Sequence, residues 1–260
     1  MIRSLWIAAS GMQGMQTKLD AISNNLANSS TNGYRSSTVT FEDLMYQNLR
    51  QPGAASSDQT QLPTGLQVGL GVRAAGTSTN MAQGGLQQTG NSTDMAINGK
   101  GYFQIQMPDG TTAYSRNGSF QVNANGEMVT TDGYTVLPGI TIPANAQSVT
   151  IAADGTVQVA LPGSAKPSTV GQIQLANFMN PAGLSPLGQT LFAQTAASGS
   201  PVTAAPASNG MGSLQQGFVE GSNVNVVQEL VSMISTQRAY ELDSKAITTS
   251  DQMLQKLGQI

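Results

Sequence analysis

Histidine and cysteine are absent from all 260 residues, and together the two absences exclude most enzyme templates. Neither a Ser-His-Asp nor a Cys-His nucleophile system can be built, nor a zinc site of thiolate or imidazole ligands, nor an iron-sulfur cluster. A chain without cysteine also fits passage through an oxidising compartment, where it runs no risk of stray disulfides. Charge is scarce: 10% of the residues are Asp, Glu, Lys or Arg, against about 25% in an ordinary globular protein. Gln, Asn, Ser, Thr, Ala and 29 glycines fill the deficit. A polar but uncharged surface of this kind packs closely against like surfaces, because few charges need desolvating on contact. The net charge of −3 leaves no basic stripe, which argues against nucleic-acid binding. No run approaches the roughly 20 apolar residues of a membrane span, so membrane insertion is not expected. Arg3 followed by Leu5-Trp6-Ile7-Ala8-Ala9 imitates the start of a secretory signal. That run is short, is broken by Ser10-Gly11 and continues through Lys18 and Asp20, so it reads as a retained helix.

What the chain does have is the same pattern at both ends. Leu5, Met12, Leu19 and Leu26 recur every seven residues, with Ala8, Met15 and Ile22 between them, which is the a/d seam of a heptad. At the other end Val226, Met233, Tyr240, Ile247 and Leu254 step by seven, flanked by Leu230, Ile234, Leu242 and Leu257. Neither stripe can be covered by its own helix. The two segments therefore pair with each other, with copies in other subunits, or both. The plainer reading is an intramolecular helical hairpin that covers a β-domain formed by the middle of the chain, which is itself compatible with assembly.

The first helix is expected over residues 2 to 28, ending at the breakers Asn28-Ser29-Ser30-Thr31-Asn32-Gly33. Phe41, Leu44, Met45 and Leu49 then read as a short amphipathic stretch with Glu42-Asp43 on its outer face. Residues 51 to 76 are rich in Pro, Gly, Ser and Gln and resemble a linker, although the alternation of Leu66, Val68, Leu70 and Val72 predicts a strand in the second half. Three hairpins follow. The first is Tyr102 to Met107, Pro108-Asp109-Gly110 and a return through Tyr114; the second is Phe120 to Val122, Asn125-Gly126 and Met128-Val129; the third is Val149 to Ile151, Asp154-Gly155 and Val157 to Val159. Their spacing suits a small antiparallel sheet or barrel. Residues 196 to 213 read as a surface connector. The fold class is α+β, with terminal helices paired as a coiled-coil-like assembly domain and an inserted antiparallel β-rich domain. The expected parts are 1–35, helix and connector; 36–93, extended connector; 94–195, β-rich domain; 196–221, linker; and 222–260, C-terminal helix. Such a chain brings its two ends together and lets the β-domain project sideways.

The run Ala21 to Arg35, with Asn25, Leu26, Ala27, Asn28, Thr31, Gly33, Tyr34 and Arg35, resembles the N-terminal signature of bacterial flagellar rod and hook proteins. The segment from Ser222 to Glu241, with Asn223, Asn225, Arg238, Ala239 and Tyr240, resembles the same family's C-terminal end, and Asn98 to Phe103 resembles the start of its β-domain. The segment 46–76, carrying Pro52, Gly53, Leu62, Pro63 and Gly65, resembles the insert that marks the distal-rod members. The resemblance implies a structural subunit without a cofactor. It implies export through the flagellar export apparatus without a cleaved signal, and helical self-assembly into a basal-body shaft between proximal rod and hook proteins, inside bushing rings. The self-assembly positions are then Leu5, Met12, Leu19, Ile22, Leu26, Val226, Leu230, Met233, Tyr240, Ile247 and Leu254, and the insert stiffens the shaft. The segments from Ser164 to Gly171 and from Ala196 to Ala207 match no motif.

Rival readings stand beside it. A proximal-rod or hook-type subunit belongs to the same class. Asp94, Asp109, Asp132 and Asp154 could be offered as paired carboxylates of a peptidoglycan hydrolase, but three of the four precede glycines in turn signals. Gly69-Leu70-Gly71 with Gly76 fails the spacing of a dinucleotide loop. A secreted β-rich adhesin fits the Gln/Asn/Ser/Thr surface but needs no helical seams at both ends. Asn25, Asn28 and Asn32 read as capping and turn residues.

Overall fold

The computed structural model describes residues 2–53, 55–57, 60–61, 63–163 and 166–257. Two long helices bracket a chain that is otherwise almost entirely β-structure, which makes the class α+β: α1 spans Ile2–Ala27 and α2 spans Val226–Leu257. The described residues group into two compact units, one of 1–26, 37–78 and 225–260, the other of 27–36 and 79–224.

In the first unit, Ser37–Asp43 pairs with Val72–Thr79, Tyr46–Arg50 pairs antiparallel with Leu66–Gly69, and Ala55–Ser57 pairs with Thr60–Gln61. The amphipathic stretch expected around Phe41, Leu44, Met45 and Leu49 is therefore two strands. Its apolar spacing covers only nine residues, too few to distinguish a helix from a strand. The decision falls to partners elsewhere in the chain, 16 to 23 residues on for Tyr46–Arg50 and the strand Val72–Thr79 for Ser37–Asp43, which supply the ladder that Thr38, Val39 and Thr40 favour. The alternation from Leu66 to Val72 does give strands on either side of Leu70.

In the second unit all three expected hairpins are present. Tyr102–Gln106 pairs with Thr112–Ser115, Gln121–Val122 with Met128–Val129, and Ser148–Ile151 with Thr156–Ala160. Local chemistry closes each turn. The Gly110 N–H reaches the Met107 carbonyl at 3.0 Å, and Asp109 Oδ1 accepts the Thr111 N–H at 2.9 Å. The first two hairpins join a nine-stranded sheet centred on Tyr102–Gln106, and the third gains Ser168–Gln172 as a further strand. Phe103, Phe120, Met95, Ile97, Ile173, Leu175, Val157 and Val159 form the main core, with the Phe103 and Phe120 rings edge to face at 5.1 Å.

The stretch 196–213, expected as a surface connector, carries the strand Val202–Ala204 and buries Ser198 and Met211. The next two strands, Ser213–Gln216 and Phe218–Glu220, complete Met95–Asn98 and Leu86–Gln88. Composition misleads here because small Ala, Ser and Gly side chains let the backbone approach closely, which serves an edge strand as readily as a loop.

Candidate assembly surface

α1 and α2 lie side by side and antiparallel. The Asn25 side-chain amide donates to Glu229 Oε1 at 3.0 Å, and Gly11 faces Asp243, whose Oδ2 would lie 2.7 Å from a Cβ at position 11. From Asn25 back to Gly11 and from Glu229 on to Asp243 is fourteen residues in each case, in opposite directions. The face that α1 covers carries Ala8 and Ile22, both buried, with Leu5, Met12, Met15, Leu19 and Leu26 half-buried beside them. Trp6 stands outside it at 71% exposure.

The polar line of α2 that meets α1 adjoins the half-buried part of the expected seam, Met233 and Ile247 lying four residues beyond Glu229 and Asp243. It runs through Glu229 and Asp243, and Thr236, midway between them, is 2% exposed. Thr236 satisfies its own hydroxyl by donating to the Ser232 carbonyl at 2.7 Å. Of the expected seam, Met233, Ile247 and Leu254 are half-buried, whereas Val226, Leu230 and Tyr240 are exposed. Val227, Val231, Ile234 and Leu242 are exposed as well.

The motif residues serve the backbone. Asn25, 1% exposed, accepts the Ser37 N–H through Oδ1 at 2.9 Å and donates to the Ser37 carbonyl at 2.9 Å. Beyond Ala27, the Asn28 carbonyl accepts the Thr31 N–H at 3.2 Å, and Thr31 Oγ1 donates to Asn28 Oδ1 at 3.1 Å. Asn32 donates to Ser119 Oγ at 3.3 Å. Gly33 takes φ +72°, where a Cβ would strike the backbone of Asn117, and its N–H reaches the Glu220 carbonyl at 2.7 Å. Tyr34 accepts the Asn223 N–H. Asn223 accepts the Ser36 N–H at 2.8 Å and donates to the carbonyls of Asn80 and Ala82. Asn225 N-caps α2, with Oδ1 accepting the N–H groups of Val227 and Gln228. Arg238 makes an exposed pair with Glu241 at 3.2 Å, while Ala239 is half-buried. Pairs of that kind add little to stability.

Within the segment 46–76, Tyr46–Arg50 and Leu66–Gly69 form a two-stranded ribbon, and the last residues belong to the strand Val72–Thr79. Pro52 and Gly53 form an exposed turn with Gly53 at φ +80°, and a Cβ on Gly65 would fall 2.6 Å from the Arg50 carbonyl and 2.7 Å from Pro52 Cδ. Pro63 is exposed, and Leu62 lies outside the described residues. Met45, Tyr46, Leu49 and Leu66 are all more than half exposed.

Three family models match: "Flagella basal body rod protein" over residues 5–35, "Flagellar hook protein FlgE/F/G D1 domain" over 96–159, and "Flagellar basal body rod FlgEFG protein C-terminal" over 215–260. The chain is 54% identical to "Flagellar basal-body rod protein FlgG" of Buchnera aphidicola subsp. Schizaphis graminum over 260 residues, all of both chains. It is 49% identical to FlgG of Caulobacter vibrioides, covering 100% of this chain and 99% of that one, and 41% identical to FlgG of Bacillus subtilis, covering 99% and 98%. The chain belongs to the flagellar basal-body rod protein family.

The first and last matched segments of this rod-family chain are the ones that place Asn25 and Glu229 together. Three of the four carboxylates offered for a hydrolase are engaged in turns: Asp94 accepts from the Asn91 amide at 3.2 Å, Asp154 Oδ1 accepts the Thr156 N–H at 3.0 Å, and Asp109 holds Thr111. An open groove of about 950 Å³ in the β-rich unit has Asp109 and Tyr114 as its only ionisable lining side chains. The Thr111 hydroxyl, then the Thr111 N–H, hold the Asp109 carboxyl below its ordinary range, and burial pushes the Tyr114 hydroxyl up. Neither shift prepares a group for acid-base work near neutral pH. Gly69, Gly71 and Gly76 lie in and between strands and open no helix. Among the described residues, no helix is long and apolar enough to cross a membrane, and no group of three His, Cys, Asp or Glu could hold a metal ion.

Proposed function

We propose that the chain is the structural subunit of the distal rod, polymerising helically into a stiff shaft that carries torque from motor to hook. The observation that carries this reading is the outward apolar face of α2. Val227, Leu230, Val231 and Ile234 occupy two successive turns of a helix whose Glu229 accepts a hydrogen bond from Asn25 of α1. A face of this size on a chain so poor in charge is suited to a like helix of a neighbouring copy. Full-length likeness to proteins named FlgG supports the distal rod over a proximal-rod or hook-type subunit. Both heptad stripes then act in assembly: Leu5, Met12, Leu19, Ile22 and Leu26 with Met233, Ile247 and Leu254 inside the protomer, and Val226, Leu230 and Tyr240 between copies. Coiled-coil-like meshing arises in the polymer, where the helices gain most of their order on joining.

The ribbon 46–76, with Pro52, Gly53, Pro63 and Gly65 shaping its ends, lies against the next copy and prevents sliding. The partners of the whole chain are the proximal rod and hook axial proteins at the two ends of the shaft and ring proteins around it, after delivery by the flagellar export apparatus.

Electron microscopy of the concentrated full-length protein, beside circular dichroism of the dilute sample, tests this. Straight filaments with rising helical signal are expected. A chain that stays monomeric even when rod or hook fragments are added as templates would overturn it.

A further inference from the structure

Glu220 ends the strand Phe218–Glu220 with a side chain that is 0% exposed, and two guanidinium groups face it. Arg35 Nη2 donates to Oε1 at 2.6 Å, and Arg116 Nε stands 3.7 Å from Oε2. The Gly84 N–H adds a third contact to Oε1 at 2.8 Å. Arg116 also donates to the Gly99 carbonyl at 2.6 Å and lies over the Tyr102 ring, 5.4 Å from its centroid. Two buried cations thus share one buried anion. Nε and Nη1 of both arginines and Oε2 of Glu220 make no hydrogen bond to any described residue.

Four separate stretches of chain meet here, all within the β-rich unit. Around the charges, the Gly33 N–H reaches the Glu220 carbonyl at 2.7 Å, the Ser36 N–H reaches Asn223 Oδ1 at 2.8 Å, and the Asn80 N–H reaches the Ser36 carbonyl at 2.8 Å. Gly84 is pressed against the Gly221 carbonyl so closely that no Cβ would fit. Arg35 is 3% exposed, and a guanidinium cannot be taken from water to such a place without an anion beside it. The carboxylate that provides one lies 185 residues further along the chain.

We propose that Arg35, Arg116 and Glu220 form a closure clasp: the segment 27–36 docks on the β-rich unit only once Glu220 is in place, so the N-terminal motif is ordered by the C-terminal strands. Before that, Arg35 stays hydrated and Gly33, Ser36 and Asn80 lack their partners. A chain read from its N-terminus keeps residues 27–36 undocked until some 220 residues are present. The device makes no use of polymerisation and stands apart from the assembly reading above.

Hydrogen exchange on the full-length protein tests it, with Glu220→Gln, Arg35→Gln and the double variant. In Glu220→Gln, exchange at Gly33, Ser36 and Asn80 should quicken on the order of 100-fold. The strands Tyr102–Gln106 and Thr112–Ser115 should keep their protection, and trypsin should begin to cut after Arg35. The double variant, which removes the anion and one of its two cations and so leaves Arg116 as the single buried charge, should be better protected at Ser36 and Asn80 than Glu220→Gln alone, where both cations remain. Unchanged protection in Glu220→Gln, or equal loss throughout the sheet, would overturn the clasp. If Glu220→Gln does not fold, the double variant decides: a recovered fold supports the proposal, and an equally unfolded double variant refutes it.

Discussion

Both ends of the Asn25 amide are occupied, twice by the Ser37 backbone and once by Glu229. Removing a buried side chain with three partners, one of them an acid, strands each of them. Asn25→Ala is therefore expected to lower stability by about 2–4 kcal/mol in urea unfolding, and Asn25→Asp to do worse by setting a second carboxylate against Glu229. Asn225 acts more locally: as an N-cap, its change to Ala should reduce α2 stability by about 1 kcal/mol, read from the far-ultraviolet signal on heating. Asp109 gives a pH prediction. Its folded carboxyl titrates below the ordinary range because of Thr111, so the stabilisation it brings to the 107–111 turn is present above the ordinary carboxylate pKa. It is lost as pH falls through the folded one. An NMR titration should show this depression, and Thr111→Val should abolish most of it.

At the scale of elements, α1, α2 and the ribbon each carry a surface larger than the fold of one chain uses. Leu19 is half-buried on the inner face of α1, and Ile247 on α2. Leu19→Asp or Ile247→Asp should prevent filament formation while leaving the β-rich unit folded, judged by electron microscopy beside protection of Tyr102–Gln106. Normal shafts from either variant would count against the helical seams. The ribbon behaves differently, because Tyr46, Leu49 and Leu66 on its two strands are more than half exposed. Deleting Pro52 to Thr64 should leave polymerisation intact and make the shaft bendable; straight filaments from that deletion would remove the stiffening role.

At the scale of the whole molecule, two units are threaded through one another in sequence: the chain enters the helical unit, leaves it at residues 27–36, returns for 37–78, and comes back last as α2. Much of this was legible. The hairpin turns at Asp109-Gly110, Asn125-Gly126 and Asp154-Gly155 are encoded within four or five residues, so the strands beside them could be placed from sequence. The strands at 41–49 could not, because nine residues hold too little periodicity to outweigh a distant partner. Nor could the strand at 202–204, whose small residues look like loop.

By itself, the amino-acid sequence determined the lack of histidine- and cysteine-based sites, the two long terminal helices, the local hairpins and, through the motifs around Asn25 and Asn223, the family. Those properties depend on residue type and on spacings of a few positions. Only the tertiary structure decided which stripe of α2 faces α1, which residues pair the ribbon, and that Arg35 meets Glu220 across 185 positions. These outcomes are set by competition among partners distant in sequence, where a single buried amide or carboxylate selects one arrangement by the free energy of leaving its polar atoms unpaired in all the others.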